Sequence, residues 1–364
     1  MKIGILGGGQ LARMLALAGY PLGLEFIVLD PGADAGAVNL SEHLHGDYDD
    51  QNLLAQLAEK ADVVTYEFEN VPAHVAQFLS EHTQVYPGAN ALAVAQDRLL
   101  EKNFFHDINI PTAQFAQVDN LADLQTVMPD IGYPAILKSR RMGYDGKGQV
   151  ILKSADDLPG AWQSMQGVPS IVEGFVNFSR EVSIIAARRP SGEIAFYPLS
   201  ENKHRGGILR VSEACSDDAL QTQAQDYVTR LLEKLDYVGV IALELFEVNE
   251  GLVANEFAPR VHNSGHWTIE GSETSQFENH LRAILDLPLG STKTRGFAGM
   301  VNFIGNVPPS EQVLSLRNAH LHLYAKQPRK GRKVAHASVR CDDVWQFAEV
   351  LQQLVNLANQ TDDS

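Results

Sequence analysis

Hydrophobic positions near the start of the chain come in short solid runs, KIGIL, LEFIVLD and ADVVTYEF, separated by stretches with helical spacing. Solid runs of this length fit strands buried on both faces. Leu11, Met14, Leu15 and Ala18 lay an apolar stripe along a helix between the first two runs, and Gly19 with Pro21 just beyond is its stop signal. A second helical stretch around Leu53–Lys60 leads into the third run. The chain up to about residue 95 therefore reads as βαβ units around a parallel sheet. YPGANALAVAQDRLLEKNFFHDINIP then reads as a turn, one helix and an exit into a new unit.

From Pro111 the pattern changes. YPAILKS and QVILKS are two short strands around a loop, Arg140–Gly148, and SIVEGFV and EVSIIAAR are two more. A helix rich in Leu and Gln covers roughly Ala219–Leu235, and YVGVIALELFEV with LVANEFAP forms a hairpin. The tail from about Gly296 holds short strands, HLHLYAK and KVAHASV, and an amphipathic helix near Val344–Leu357. There is no internal repeat and no low-complexity segment.

Two readings of the opening turn stay open. Gly7, Gly9 and Ala12 fit the G-x-G-x-x-G/A fingerprint, and Asp30 lies where a ribose-binding acid of a dinucleotide site would sit. That would make an NAD-dependent oxidoreductase. A second mononucleotide half or a dehydrogenase catalytic domain is not evident in the rest, which favours a phosphate cradle or an inherited turn in another kind of enzyme.

Composition narrows the class. The chain has 364 residues, 45% hydrophobic and 20% charged, as in a globular protein with two or three domains. A net charge of −16 disfavours nucleic acid or an anionic membrane as a general partner. Cys215 and Cys341 are isolated, which fits a reducing compartment, and no apolar run is long enough to span a bilayer, so a cytoplasmic location is expected.

Candidate chemistry starts in the hairpin. With Asn249-Glu250-Gly251 as a three-residue turn, Val248 pairs with Leu252, Phe246 with Ala254 and Glu244 with Glu256. The two carboxylates would then face each other with Cα atoms roughly 4.5–5.5 Å apart, a repulsion that a hard divalent cation such as Mg2+ relieves. A slipped register would instead turn both glutamates to solvent. LKSRRMGYDGKGQ clusters Lys138, Arg140, Arg141 and Lys147 with three glycines, as a polyphosphate requires, or as a solvated hairpin tip. VEGFVNFSREVS offers backbone groups at Glu173–Val176 for an adenine edge and Glu181 for ribose hydroxyls, although surface glutamates are common. EFAPRVHNSGHWT packs Arg260, His262, Asn263, Ser264 and His266 behind Glu256, and KQPRKGRK concentrates Lys326, Arg329, Lys330, Arg332 and Lys333 as a monophosphate site or a basic surface turn.

The spaced set Lys138, the 143–149 glycine loop, Glu173, Glu181, Glu244 and Asn255-Glu256 resembles the ATP-grasp superfamily. GGGQLARM, GYDGKGQ, FSREVS, NEFAPRVHNSGHWT and KGRKVAH, spread from residue 7 to residue 336, resemble more narrowly the N5-carboxyaminoimidazole ribonucleotide synthase family. APRVHNSGHWT is the most specific of these. Ala12 and Ala335 stand where glycine is frequent in the family.

The resemblance implies an α/β ATP-grasp fold. It would have a Rossmann-like pre-ATP-grasp domain over 1–95, a hairpin lid subdomain over 96–173, a central domain over 174–295 and a small β-rich domain over 296–364. It implies ATP, bicarbonate and 5-aminoimidazole ribonucleotide as substrates, two Mg2+ (or Mn2+) on Glu244 and Glu256, and a homodimer in purine biosynthesis. ATP contacts map onto Arg98, Lys138 and the loop residues Gly143, Tyr144, Asp145, Gly146, Lys147, Gly148 and Gln149. They continue through Glu173, Gly174, Phe175, Val176, Glu181 and His204 to Asn255 and Glu256. Ribonucleotide and carboxylation contacts map onto Gln10, Glu67, Tyr144, Asp145, Arg260, His262, Asn263, Ser264, Lys326, Arg332 and Lys333. Lys138, Asp145, Arg260 and His262 are the catalytic candidates, with His262 handling the amine proton. Another ATP-grasp ligase with a different acyl donor, the oxidoreductase and a non-catalytic ATP-binding module remain as alternatives.

Overall fold

The computed structural model describes residues 1–143, 146–249 and 251–362. The solid apolar runs become β1 (Lys2–Leu6), β2 (Glu25–Asp30) and β4 (Val63–Tyr66), joined by β3 (Glu42–His45) and β5 (Gln84–Val85) in a parallel sheet of order β3-β2-β1-β4-β5. Burial on both faces explains their composition. Ile3 and Ile5 pack under α1 (Gln10–Gly19) into a core shared with Trp267, Phe277 and Leu281, which fuses this unit to the body of the protein. Leu6, Ile27 and Val64 face α2 (Gln51–Lys60) and α3 (Ala73–Ser80).

The single helix expected next is two, α4 (Ala89–Ala95) and α5 (Arg98–Asp107). Asp97 causes the break: its carboxylate accepts from the N–H groups of Leu99 and Leu100 at 3.0 and 3.5 Å, a cap that restarts the helix in a new direction. α5 buries Phe105 in the central core.

A four-stranded antiparallel sheet follows: β6 (Phe115–Val118), β7 (Ala135–Ser139), β8 (Gln149–Leu152) and β9 (Ser170–Gly174), ordered β6-β9-β7-β8. Alternation along β7 divides its labour: Ala135 and Leu137 join the core under helices Leu121–Ile131 and Leu158–Ser164, while Ile136 and Lys138 face a cleft.

The largest sheet contains β10 (Arg180–Arg188), β11 (Ile194–Phe196), β12 (Leu199–Arg205), β13 (Ile208–Cys215), β14 (Gly239–Val248), β15 (Gly251–Ala258), β16 (Phe297–Gly305), β17 (Ala319–Leu323) and β18 (Arg329–Cys341). Its order is β15-β14-β10-β12-β13-β16-β18-β17, with β11 added on β10. The strands beyond residue 296 thus extend the central sheet, since β13 pairs with β16. The last helix, Val344–Thr361, covers them and runs past its expected end at Leu357.

The β14–β15 register corrects the expected hairpin. Val248 pairs with Gly251, Phe246 with Val253 and Leu245 with Ala254, leaving a two-residue turn in place of three. Glu250 of that turn lies outside the described residues. A β-bulge then inserts Asn255, and Glu244 meets Glu256 after all. Without the bulge Glu256 would stand opposite Leu243 and point to the buried face of the sheet.

Candidate active site

The three sheets converge on a cleft of about 1090 Å3, slightly more than the roughly 300–1,000 Å3 usual for one small-molecule pocket. Gln10 and Glu67 line it from the parallel sheet, Lys138, Gly143, Gly146, Lys147 and Gln149 from the four-stranded one. Arg98, Glu181, His204, Glu244, Asn255 and Glu256 form its floor, and Arg260, His262, Asn263, Lys326, Arg332 and Lys333 its far end. Gly148, Glu173, Gly174, Phe175, Val176 and Ser264 are not in the lining, and Tyr144 and Asp145 lie outside the described residues.

The opening glycine turn is already satisfied by the protein itself. Glu67, at the end of β4, accepts from the N–H of Gly9 and, at 3.0 Å each, from those of Leu11 and Ala12. Asp30 accepts from Gly8 and Gly32 at 2.7 Å and from the Tyr48 hydroxyl at 3.1 Å. An added Cβ at Gly9 would stand 2.4 Å from Glu67 Oε1, so glycine is required for the carboxylate to come this close. The anion at this helix N-terminus is a side chain, and a dinucleotide pyrophosphate has no seat there. Burial raises the Glu67 pKa, opposed by these N–H groups and by Lys326.

The opposed glutamates are each met by a nitrogen donor. Arg98 Nη1 donates to Glu256 Oε2 at 2.7 Å, and His262 Nε2 lies 3.1 Å from Glu244 Oε1. A buried relay fixes the imidazole: Asn202 donates to Ser183 Oγ, which donates to Ser264 Oγ at 2.7 Å, which lies 2.8 Å from His262 Nδ1. The Ser264 N–H also points at Nδ1, at 3.3 Å. Nδ1 is therefore the acceptor and the ring proton sits on Nε2, aimed at Glu244. Ser264, fully buried, orients His262 and does not face the cleft. Burial pushes the Glu244 carboxyl up, and His262 and His204 outweigh it and bring it to about 2.

Glu244 and Glu256 both line the cleft with hard oxygen donors, a set that fits Mg2+ completed by substrate phosphates. Among the described residues no group of three or more His, Cys, Asp or Glu is arranged to hold a metal alone, consistent with phosphates supplying the remaining ligands.

At the other end of the cleft floor, Lys138 Nζ donates to Glu173 at 3.0 Å, and the buried Lys102 lies 3.5 Å from the same oxygen. The side chain of Glu173 is thus consumed in orienting Lys138. The hinge after it has few free donors, because Gly174 N–H is given to Gln114 and Phe175 N–H to Pro134. Phe178 and Phe246 stack at 4.7 Å and present a flat apolar wall to the cleft. His204 Nδ1 lies 2.7 Å from Glu181. Arg140 and Arg141, expected on phosphate, are held by Asp97, Arg140 through both carboxylate oxygens at 3.0 and 2.8 Å and Arg141 at 3.2 Å. They tie the loop base to the start of α5.

The far end is cationic. Arg260 is bound by Glu69, whose carboxyl burial pushes up and Arg260 pulls down to about 2. Asn263 and Asn302 exchange reciprocal amide bonds at 3.1 and 2.7 Å. Lys326 donates to Gln10, and burial lowers its pKa to about 8 against the pull of Glu67. Sequence reasoning missed Glu69, Asp97, Glu101, Lys102 and Asn302. Asp97 could have been found as a cap before an apolar-periodic run; the others carry no local signal.

Family models match most of the chain. That for the ribonucleotide synthetase preATP-grasp domain covers residues 1–96, that for the ATP-grasp domain 103–277, and that for the phosphoribosylaminoimidazole carboxylase C-terminal domain 298–350. The chain is 57% identical over 343 residues to the N5-carboxyaminoimidazole ribonucleotide synthase of Pseudomonas aeruginosa, covering 94% of this chain and 95% of the relative. The chain belongs to the N5-carboxyaminoimidazole ribonucleotide synthase family. The crystal structure of the Thermus thermophilus synthetase matches at a TM-score of 0.94 and 53% identity, covering 98% of each chain. The Aspergillus clavatus synthase, solved with ADP and 5-aminoimidazole ribonucleotide, matches at 0.91 and 30% identity over 98% of each chain. The protein is thus an ATP-dependent ligase of the ATP-grasp class that acts in purine biosynthesis. No helix among the described residues is long and apolar enough to cross a membrane.

Proposed function

We propose that the enzyme joins bicarbonate to the exocyclic amine of 5-aminoimidazole ribonucleotide, with the γ-phosphate of ATP activating the bicarbonate. The observation that carries this reading is the pair Glu244 and Glu256, opposed on the floor of a cleft whose far end gathers Arg260, Lys326, Arg332 and Lys333. ATP lies with its base toward the Phe178–Phe246 wall and the Glu173–Val176 hinge, its ribose near Glu181, and its phosphates under Lys138 and the 143–149 loop. Two Mg2+ held by Glu244, Glu256 and Asn255 would supply charge neutralisation on the transferring phosphoryl group. Arg98 and His262, which now hold those carboxylates, then turn to substrate oxygens.

A bicarbonate oxygen attacks the γ-phosphorus and ADP leaves, giving carboxyphosphate; positioning and fixed charge are the levers of such a transfer. The amine, or CO2 released nearby, then forms the new C–N bond, and the amine proton passes to the departing phosphate. The Nε2 proton of His262 suits donation to the carboxylating anion beside Arg260, a role different from taking the amine proton. The ribonucleotide phosphate is held by Lys326, Arg332 and Lys333, and Glu67 and Gln10 border its sugar side. Family resemblance supports a homodimer in the cytoplasm.

The test is oxygen transfer. With 18O-labelled bicarbonate, the released phosphate should carry one 18O per turnover. Unlabelled phosphate at full turnover would exclude carboxyphosphate and return the site to another acceptor.

A further inference from the structure

Glu256 stands on β15, the outermost strand of the largest sheet, and its pairing with Glu244 depends on the bulge at Asn255. An edge strand leaves its outward N–H and C=O groups unpaired, and a bulge loosens the inward ladder at the same place. A metal-binding carboxylate would therefore sit at a weak point of the sheet unless something else held it. Before the bulge the Ala254 N–H is donated to the Pro111 carbonyl at 2.7 Å; at the bulge and at Glu256 the support comes from one face of α5.

Residues 98, 101, 102 and 105 share that face by helical spacing. Lys102 Nζ donates to the carbonyl of Asn255 at 2.7 Å, fixing the peptide before Glu256. Glu101 Oε1 accepts from the N–H of Phe257 at 2.7 Å, fixing the peptide after it. Arg98 holds the Glu256 carboxylate itself, and Phe105 packs edge-on against Phe257 with ring centroids 6.0 Å apart. Lys102 and Glu101 are 1% and 2% exposed, so these bonds are shielded from competing water. Lys102 does not line the cleft, whereas Glu101 reaches its lining.

We propose that Glu101 and Lys102 are positioning residues for the metal ligand Glu256: they pin the two peptide groups on either side of it and so maintain the bulge that turns its carboxylate toward Glu244. The inference rests on Glu244 and Glu256 being the metal ligands. It assigns to two buried polar side chains, adjacent in sequence, a task that a packed apolar pair could not perform. An apolar side chain would leave the Asn255 carbonyl and the Phe257 N–H unsatisfied at the bulge.

The experiment measures ADP affinity by calorimetry with Mg2+ and with chelator, and takes the ratio as the gain due to metal. Partners of metal ligands typically change affinity about 10–100-fold when removed, so Lys102→Met and Glu101→Met should each lower the gain roughly tenfold; Lys102 also lies 3.5 Å from Glu173, and any loss of metal-free ADP affinity from that contact is divided out by the ratio. Glu101→Gln, which keeps an acceptor for Phe257, should retain the gain. Melting curves identify variants that fold. A folded Lys102→Met with unchanged gain, or with both affinities falling by the same factor, overturns the proposal. If Lys102→Met does not fold, Glu101→Met and Glu101→Gln decide it, and equal gains in the two overturn it. Glu256→Gln is run in parallel. If it keeps the gain, the metal reading fails and this inference with it; if it alone loses the gain, only the positioning role fails.

Discussion

The turn over residues 7–12 and the loop over 140–148 carry the same chemical signature, glycines at the end of a strand with backbone N–H groups ready for an anion. They are used in opposite ways. In the first turn the donors close on Glu67, supplied by β4, and Asp30 takes the neighbouring N–H of Gly8. Among its described residues the loop shows no such internal carboxylate: Asp97 holds its two arginines, and Lys138, Arg140 and Lys147 line the cleft. Gly148 there has φ of +69° and lies against Ser139, where an added Cβ would approach Oγ to 2.6 Å. A glycine motif thus states that an anion can bind, and a residue far away in sequence decides whether the protein keeps that place for itself.

The comparison can be broken at either end. The largest effect expected is at the floor beneath the loop: Glu256→Ala should cut ADP formation by roughly 10³-fold, the scale of losing a charge-stabilising group, in a coupled assay with protein that melts normally. Glu67→Ala should cost about 3 kcal/mol of stability by orphaning three N–H donors. Added phosphate should then restore part of the melting temperature, beyond any gain given to wild type, because the emptied cradle becomes an anion site. At the cationic end, Arg332→Ala should raise the apparent KM for the ribonucleotide roughly tenfold or more with little change in kcat, the scale of a charged hydrogen bond.

Lys326 gives the pH dependence. Its pKa is lowered to about 8, so its charge is present below that pH and lost above it. KM for the ribonucleotide should rise as pH passes about 8, and Lys326→Met should show a high KM without that inflection. The smallest effect expected is Asp97→Ala, which removes the α5 cap and frees Arg140 and Arg141, costing about 1 kcal/mol with a modest rise in KM for ATP.

Much of the fold is legible in the sequence, because solid apolar runs and the strands around 140–148 follow from burial period alone. The pairing of Glu244 with Glu256 is legible too, but by a register the molecule does not use. A three-residue turn and a straight ladder reach the same pair as a two-residue turn and a bulge, since one error in register is cancelled by one inserted residue. The bulge has no sequence signature of its own. Glu101 and Lys102 read as ordinary helix surface, and only the position of α5 against an edge strand gives them partners. Glu69 has the same character: nothing near it in sequence announces Arg260, which is 191 residues away. Arg140 and Arg141 show the converse, cations that look made for phosphate and are held by Asp97 instead.

The most direct test of the account is ADP release from Mg-ATP in bicarbonate-free and bicarbonate-supplied buffer, with and without 5-aminoimidazole ribonucleotide. Release is expected to require the ribonucleotide and to rise with bicarbonate. Release that stays flat across all four combinations, or that proceeds fully with neither substrate, would contradict it.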